Sequence, residues 1–213
     1  VIPKSLVKIN NKSILEYKLK TYKKQGFNNF IFCTGYMGNK IEKELERLDI
    51  NGKISNAGEK AGILKRIFFT NDLSSSSIIS YGDTYAEIDF NDLIINHKKS
   101  RSLITLVISS IRHPFGLIQI REDNKVVSFK EKPLLNHYIG YAVMDKKIFN
   151  IIPKSYIDMP DGMGLVKAIK YLIKLDKVNT YKFDGLKITI NTTEELKAAK
   201  ERIGNYYTLN EKF

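Results

Sequence analysis

A short apolar run, Ile78-Ile79-Ser80-Tyr81, stops abruptly at Gly82-Asp83-Thr84. A helix signal follows: Asp89 is placed to cap it, and Phe90, Leu93, Ile94 and His97 fall on one face. The pattern predicts a buried strand that delivers a carboxylate to its C-terminal end, where open α/β sheets bind ligands. An Asp there suits a hard divalent cation carrying phosphates. A turn Asp that only caps a loop has the same local pattern. A second stretch, Asn56 to Gly62, is polar and glycine-containing and opens a helix through Ile63, Leu64, Ile67 and Phe68. The unpaired amides of such a helix start can receive an anion, although many helices begin this way. His97, His113 and His137 have no metal-like spacing, and His97 reads as a packed or surface residue of a helix face.

The elements that must position these residues alternate. Ser13-Ile14-Leu15-Glu16 is a capping box, and its helix carries Ile14, Leu15, Leu19 and Tyr22 inward and stops at Gly26. Asn29–Thr34 is a buried strand, Asn39 caps the next helix, and Leu103–Ser109 is a continuous apolar strand. Alternating strands and helices predict a three-layer α/β fold around a mostly parallel mixed sheet. The pattern then changes to a hairpin about Glu122–Lys125, a strand over Tyr138–Met144, a helix over Met163–Leu175 and late strands over Val178–Phe183 and Leu186–Ile190. A second capping box, Thr192-Thr193-Glu194-Glu195, opens the last helix. One domain is expected over residues 1–204, with 205–213 as a frayed polar tail.

The 213 residues, 43% of them hydrophobic, suffice for one buried core. Cys33 is the single cysteine, so no disulfide forms within the chain and a reducing, cytoplasmic setting fits. No stretch approaches the roughly 18 apolar residues of a membrane span, so no membrane partner is expected. The net charge is +12, but lysine is spread along every segment without aromatic interleaving. That describes a solvated basic surface better than a nucleic-acid footprint.

Four stretches taken together are similar to the sugar-phosphate nucleotidyltransferase family, within it most to the glucose-1-phosphate cytidylyltransferases. Pro3-Lys4-Ser5-Leu6-Val7-Lys8-Ile9 leading to Lys12-Ser13-Ile14-Leu15 resembles that family's "PKPMV-I-GKPIL". Gly35-Tyr36-Met37-Gly38 resembles its "GYKG", and Ala61-Gly62-Ile63-Leu64-Lys65-Arg66 the "GGRLKR" of the cytidylyl branch. Tyr81-Gly82-Asp83 and Glu131-Lys132-Pro133 continue the likeness, which reaches to about Ala199. The resemblance implies a Rossmann-like fold and transfer of a nucleotidyl group, CTP favoured, to a sugar-1-phosphate or similar phosphorylated small molecule, releasing pyrophosphate. UTP, dTTP or GTP on the same fold is the nearest alternative. It further implies Lys4, Asp83 and Lys132 as catalytic residues, with Lys4 neutralising the triphosphate and Lys132 the incoming phosphate. Glu131 would accept from a sugar hydroxyl, and Gly58, Ala61, Gly62, Gly82 and Gly140 would contact substrate. Mg²⁺ would be held by Asp83 and Asn191. A homo-oligomer is compatible with all of this.

Three departures accompany the resemblance. The family's opening strand and glycine-rich "GGxGTR" loop have no counterpart after Val1, and the spacing places them upstream of it. The family's "NGG" sugar motif is Tyr138-Ile139-Gly140, and its late "DT" is Asn191-Thr192, with Asp184 nearby in sequence. A nucleotide- or sugar-binding regulatory protein that has lost catalysis is the rival reading.

Overall fold

The computed structural model describes residues 2–70, 73–190 and 192–210, the side chains of residues 193 and 204–210 excepted. A turn of 3-10 helix at Lys4–Leu6 leads into a small ribbon, β1 (Lys8–Ile9) and β2 (Lys12–Ser13), paired antiparallel. Then follow α1 (Ile14–Lys24), β3 (Ile31–Thr34), α2 (Gly38–Arg47), β4 (Lys53–Asn56), α3 (Ile63–Phe69), β5 (Ser76–Ser80), β6 (Thr84–Ala86) and α4 (Phe90–Ser100). The second half holds β7 (Ile104–Arg112), β8 (Leu117–Ile120), β9 (Val126–Lys130), β10 (Leu134–Asp145), α5 (Met163–Lys174), β11 (Val178–Lys182), β12 (Lys187–Thr189) and α6 (Thr193–Asn210).

The central sheet has the order β11-β7-β10-β5. It is mixed: β11 runs parallel to β7, while β10 lies antiparallel to both β7 and β5. The other parallel pairing is β3–β4. The sheet is mixed as expected, and its antiparallel member is β10, which returns from β7 through the β8–β9 hairpin without a crossover helix. A strand that returns so must run antiparallel. Both faces of β10 are covered, which is why its inner half reads as an unbroken apolar run. Ala142 and Met144 face Leu64, Ile67, Leu165 and Leu172 of α3 and α5. Tyr141 and Val143 face Phe90 and Leu93 of α4, with Tyr22 of α1 packed alongside.

Local signals explain the helix starts. Ser13 accepts from the Glu16 amide at 3.1 Å, and Asp89 from the Asp92 amide at 2.9 Å. Such caps are worth about 1 kcal/mol each. The Ser13 box is half built, because the Glu16 carboxylate turns instead to Arg47, 2.9 Å away. The Thr192 box is reciprocal, with the Glu195 amide on Thr192 and the Thr192 amide on the Glu195 carboxylate. α2 starts one residue before the expected Asn39 cap, from Met37 in the left-handed region. α6 continues past Gly204 to Asn210. Ala199 and Ile203 seat α6 on Ile9, Ile14, Tyr85 and Ile188.

Candidate active site

Asp83 lies in the turn between β5 and β6, beyond the end of the apolar strand that the sequence marked. Tyr81 donates its amide to the Gly140 carbonyl at 2.9 Å, which ties the turn to β10. Gly82 sits against Ser5: a Cβ on it would lie 3.4 Å from the Ser5 Cβ. The amino-terminal turn is thereby held against the Asp83 turn, and Lys4 Nζ is 3.5 Å from Asp83 Oδ2. The Lys4 side chain is 56% exposed and that of Asp83 29%. An ion pair so exposed contributes at most about 1 kcal/mol to folding. Its significance is that a cation and a carboxylate stand together at a cleft mouth, open to ligand.

The cleft has a volume of about 1010 Å³ and runs between β3 and β5, floored by Leu15, Leu19 and Tyr22 of α1. Among the described residues β3 pairs only with β4, and β5 only with β10. Pro3, Lys4, Gly82 and Asp83 line it.

Lys18 enters from below. It falls on the inward face of α1, four residues after Ile14, and is only 5% exposed. Its Nζ donates to the carbonyls of Tyr81 and Thr84, the latter at 3.0 Å, and stands 4.8 Å from the centre of the Tyr141 ring. Burial pulls its pKa down to about 7, against the raising effect of Asp83. The sequence reading missed Lys18; a charged residue at an inward position of an amphipathic helix was the available signal.

Gly140 is placed at the same point. It has φ of +81°, and a Cβ there would meet the Tyr81 ring at 3.0 Å. The register of β10 against β7 breaks between Tyr138 and Ala142, around this glycine. β12 arrives beside the turn: Thr189 pairs with Thr84, and the Ile190 amide donates to the Asp83 carbonyl at 3.4 Å. Asn191 lies outside the described residues.

The Asn56–Gly62 loop is organised by Arg66 rather than by a helix amide. The Arg66 guanidinium donates to the Ala61 and Glu59 carbonyls, each at 2.9 Å, and to the Thr34 carbonyl at 2.5 Å. One planar fork thus joins this loop to the end of β3. Gly58, at φ of +93°, takes an Asx turn from Asn56, whose side chain accepts the Gly58 amide at 2.9 Å. The start of α3 is closed to an anion at its first residue, since the Ile63 amide donates to Asp161 at 2.7 Å. Gly62 is packed beneath residues 159–161, where a Cβ would lie 2.1 Å from the Met159 carbonyl.

Glu131 and Lys132 stand just before the outer end of β10, whose run from Leu134 to Gly140 covers about 20 Å of extended chain. Neither lines the cleft. Lys132 has φ of +40° and pairs loosely with Glu131 at 3.9 Å, while Arg112 donates to its carbonyl at 3.3 Å. A cation the sequence reading did not single out, Lys187 of β12, donates to His137 at 2.9 Å. Burial and Arg202 lower the Lys187 pKa, while Asp184 raises it. His97 is buried as a structural residue, bonded to Thr105 at 2.8 Å.

Among the described residues no group of three or more His, Cys, Asp or Glu side chains gathers to hold a metal. Among the described residues Asp83 is the carboxylate that lines the cleft. That donor set fits Mg²⁺, which is commonly held by one or two carboxylates together with substrate phosphates.

The family model described as "Nucleotidyl transferase" matches residues 1–169. A putative mannose-1-phosphate guanyltransferase of Sulfolobus acidocaldarius is 26% identical over 206 residues, covering 91% of this chain and 55% of the relative. The chain thus spans about half the length of that relative. A probable glucose-1-phosphate cytidylyltransferase of Bacillus subtilis is 27% identical over 222 residues, covering 92% of this chain and 85% of the relative. Among solved structures, HddC from Yersinia pseudotuberculosis superposes with a TM-score of 0.70 at 22% identity, covering 95% of this chain and 90% of that one. This last likeness is one of fold.

Proposed function

This chain belongs to the nucleotidyl transferase family, and we propose that it joins a nucleoside triphosphate to a sugar-1-phosphate with release of pyrophosphate. The observation that carries this reading is the Lys4–Asp83 pair, 3.5 Å apart on the cleft, with Tyr81 and Gly140 packed beside it. An oxygen of the sugar phosphate attacks the α-phosphorus of the triphosphate, the bond to the β-phosphate bridge breaks, and pyrophosphate leaves. Such transfers depend on positioning and on neutralising negative charge. Lys4 offers a compact positive charge to the phosphates. Asp83 would hold Mg²⁺ against them, and the metal, when bound, supplies further charge neutralisation. Gly140, which lets the Tyr81 ring pack close against β10, would contact the sugar. Gly58, Ala61 and Gly62, on the loop held by Arg66, would shape the nucleobase pocket.

CTP is the favoured nucleotide. The support is the text of Ala61–Arg66 and the cytidylyltransferase relative; the guanyltransferase relative supports GTP as the competitor. Lys132 would serve the incoming phosphate in this reading, carried on the arm of β10 that lies beyond the register break at Gly140. That Lys132 and Glu131 are not among the residues lining the cleft favours a second reading, a nucleotide-binding protein without turnover.

The two are separated by incubating the protein with Mg²⁺, each nucleoside triphosphate in turn, and glucose- or mannose-1-phosphate. Pyrophosphate and a nucleotide sugar in equal amounts, most with CTP, are expected. Nucleotide binding with no product from any pair would establish the second reading and overturn the first.

A further inference from the structure

We propose that Lys18 is a positioning residue for Asp83, holding the turn that carries the carboxylate by bonding the two carbonyls on either side of Gly82-Asp83. The inference rests on the function proposed above. The carbonyls of Tyr81 and Thr84 both turn inward onto Lys18 Nζ. The Thr84 carbonyl also accepts the Tyr141 hydroxyl at 2.9 Å. Two donor hydrogens are enough for the two carbonyls, so the clamp does not depend on whether the amine carries its third.

Burying a lysine this deeply is costly, and an apolar side chain of similar length would fill the same place in α1 without that cost. What the amine supplies is local. Without it the Tyr81 carbonyl would lose its side-chain donor, and a partly buried carbonyl left without a partner is unfavourable. The turn would then relieve that cost by rotating its peptides. The residues that would rotate are Gly82, which is conformationally free, and Asp83. Other ties act on the turn as well: the Tyr81 amide on Gly140, the Ile190 amide on the Asp83 carbonyl, the Lys4–Asp83 ion pair, the Tyr141 hydroxyl on the Thr84 carbonyl, and the Thr84 hydroxyl with that of Thr189 at 3.2 Å. Among the described residues, Lys18 is the side chain that bonds the carbonyls at both ends of the turn. A misplacement of about 1 Å at a reacting group can cost 10²-fold in rate.

The test compares Lys18→Met with the unaltered protein by two readouts. One is hydrogen exchange of the amides of Gly82, Asp83 and Thr84; the other is kcat and the nucleotide KM in the pyrophosphate assay. Faster exchange confined to these amides, with kcat reduced by about 10–10²-fold and KM little changed, is expected. A purely structural role would change the melting temperature and leave both readouts alone. Unaltered exchange and kcat in Lys18→Met would overturn the proposal. Should Lys18→Met fail to fold, Lys18→Gln, which keeps one donor group, decides by the same readouts: wild-type values overturn the proposal, intermediate values support it. Asp83→Asn runs beside them. Full turnover by Asp83→Asn defeats the functional reading itself, whereas an inactive Asp83→Asn beside a fully active Lys18→Met defeats only the role of Lys18.

Discussion

Lys4 and Lys18 flank one carboxylate, the first over half exposed and the second buried. They have different thermodynamic consequences. Burial holds the Lys18 pKa near 7 in the folded chain, against 10.5 for an unburied lysine. Between those values the unfolded chain binds a proton that the folded chain lacks. Stability therefore rises as pH rises through this window and falls as the solution is acidified toward 7. We expect urea titrations to show the unaltered protein gaining stability relative to Lys18→Met between pH 7 and pH 10.5. A constant difference across that range would contradict the assignment. The residue scale is also where the sequence was least complete. Asp83 stands out as a candidate because it ends an apolar run, and Lys4 because a motif encloses it. Lys18 could not be assigned a role, because its bonds go to backbone carbonyls more than sixty positions away.

At the scale of elements, helices were legible because their caps are local. Ser13, Asp89 and Thr192 each accept the amide that their spacing implied. β10 was only half legible. Its inner part, Tyr138–Met144, is apolar, but the strand begins at Leu134 because its outer part pairs with the exposed end of β7. Cross-strand pairing of that kind leaves no local signature. Gly140 joins the two parts. Alanine there would be held at a positive φ, costing about 1–2 kcal/mol, and would press on the Tyr81 ring. We expect Gly140→Ala to lower the melting temperature by roughly 4–8 °C, taking about 2 kcal/mol in total at 2–4 °C per kcal/mol. The pyrophosphate rate should fall with it, since Tyr81 adjoins Asp83. An unchanged melting curve would mean that the glycine is not required by the contact.

For the whole molecule, alternation of strands and helices was enough to foresee three layers, and the family likeness specified the sheet that lies between them. Strand direction at β10 was not foreseen, since it depends on a connection made by a hairpin rather than a helix. The charge of +12 fits a protein that meets phosphates, and no helix among the described residues is long and apolar enough to cross a membrane. If CTP is the nucleotide, it should protect the fold more than GTP or ATP at equal concentration. A ligand at 100 times its Kd adds about 2.7 kcal/mol. Differential scanning fluorimetry with Mg²⁺ measures this directly, and greater protection by GTP would move the assignment to the guanylyl branch.

The central claim is that Asp83 serves chemistry and not merely a turn. Asp83→Asn keeps the shape and removes the charge. With CTP, glucose-1-phosphate and Mg²⁺, pyrophosphate release should fall by about 10²–10³-fold, the loss typical when a charge-stabilising group is removed. The melting temperature should shift by less than about 4 °C, because so exposed an ion pair contributes at most ~1 kcal/mol. Wild-type release by Asp83→Asn, or loss of its cooperative melting transition, would contradict the claim.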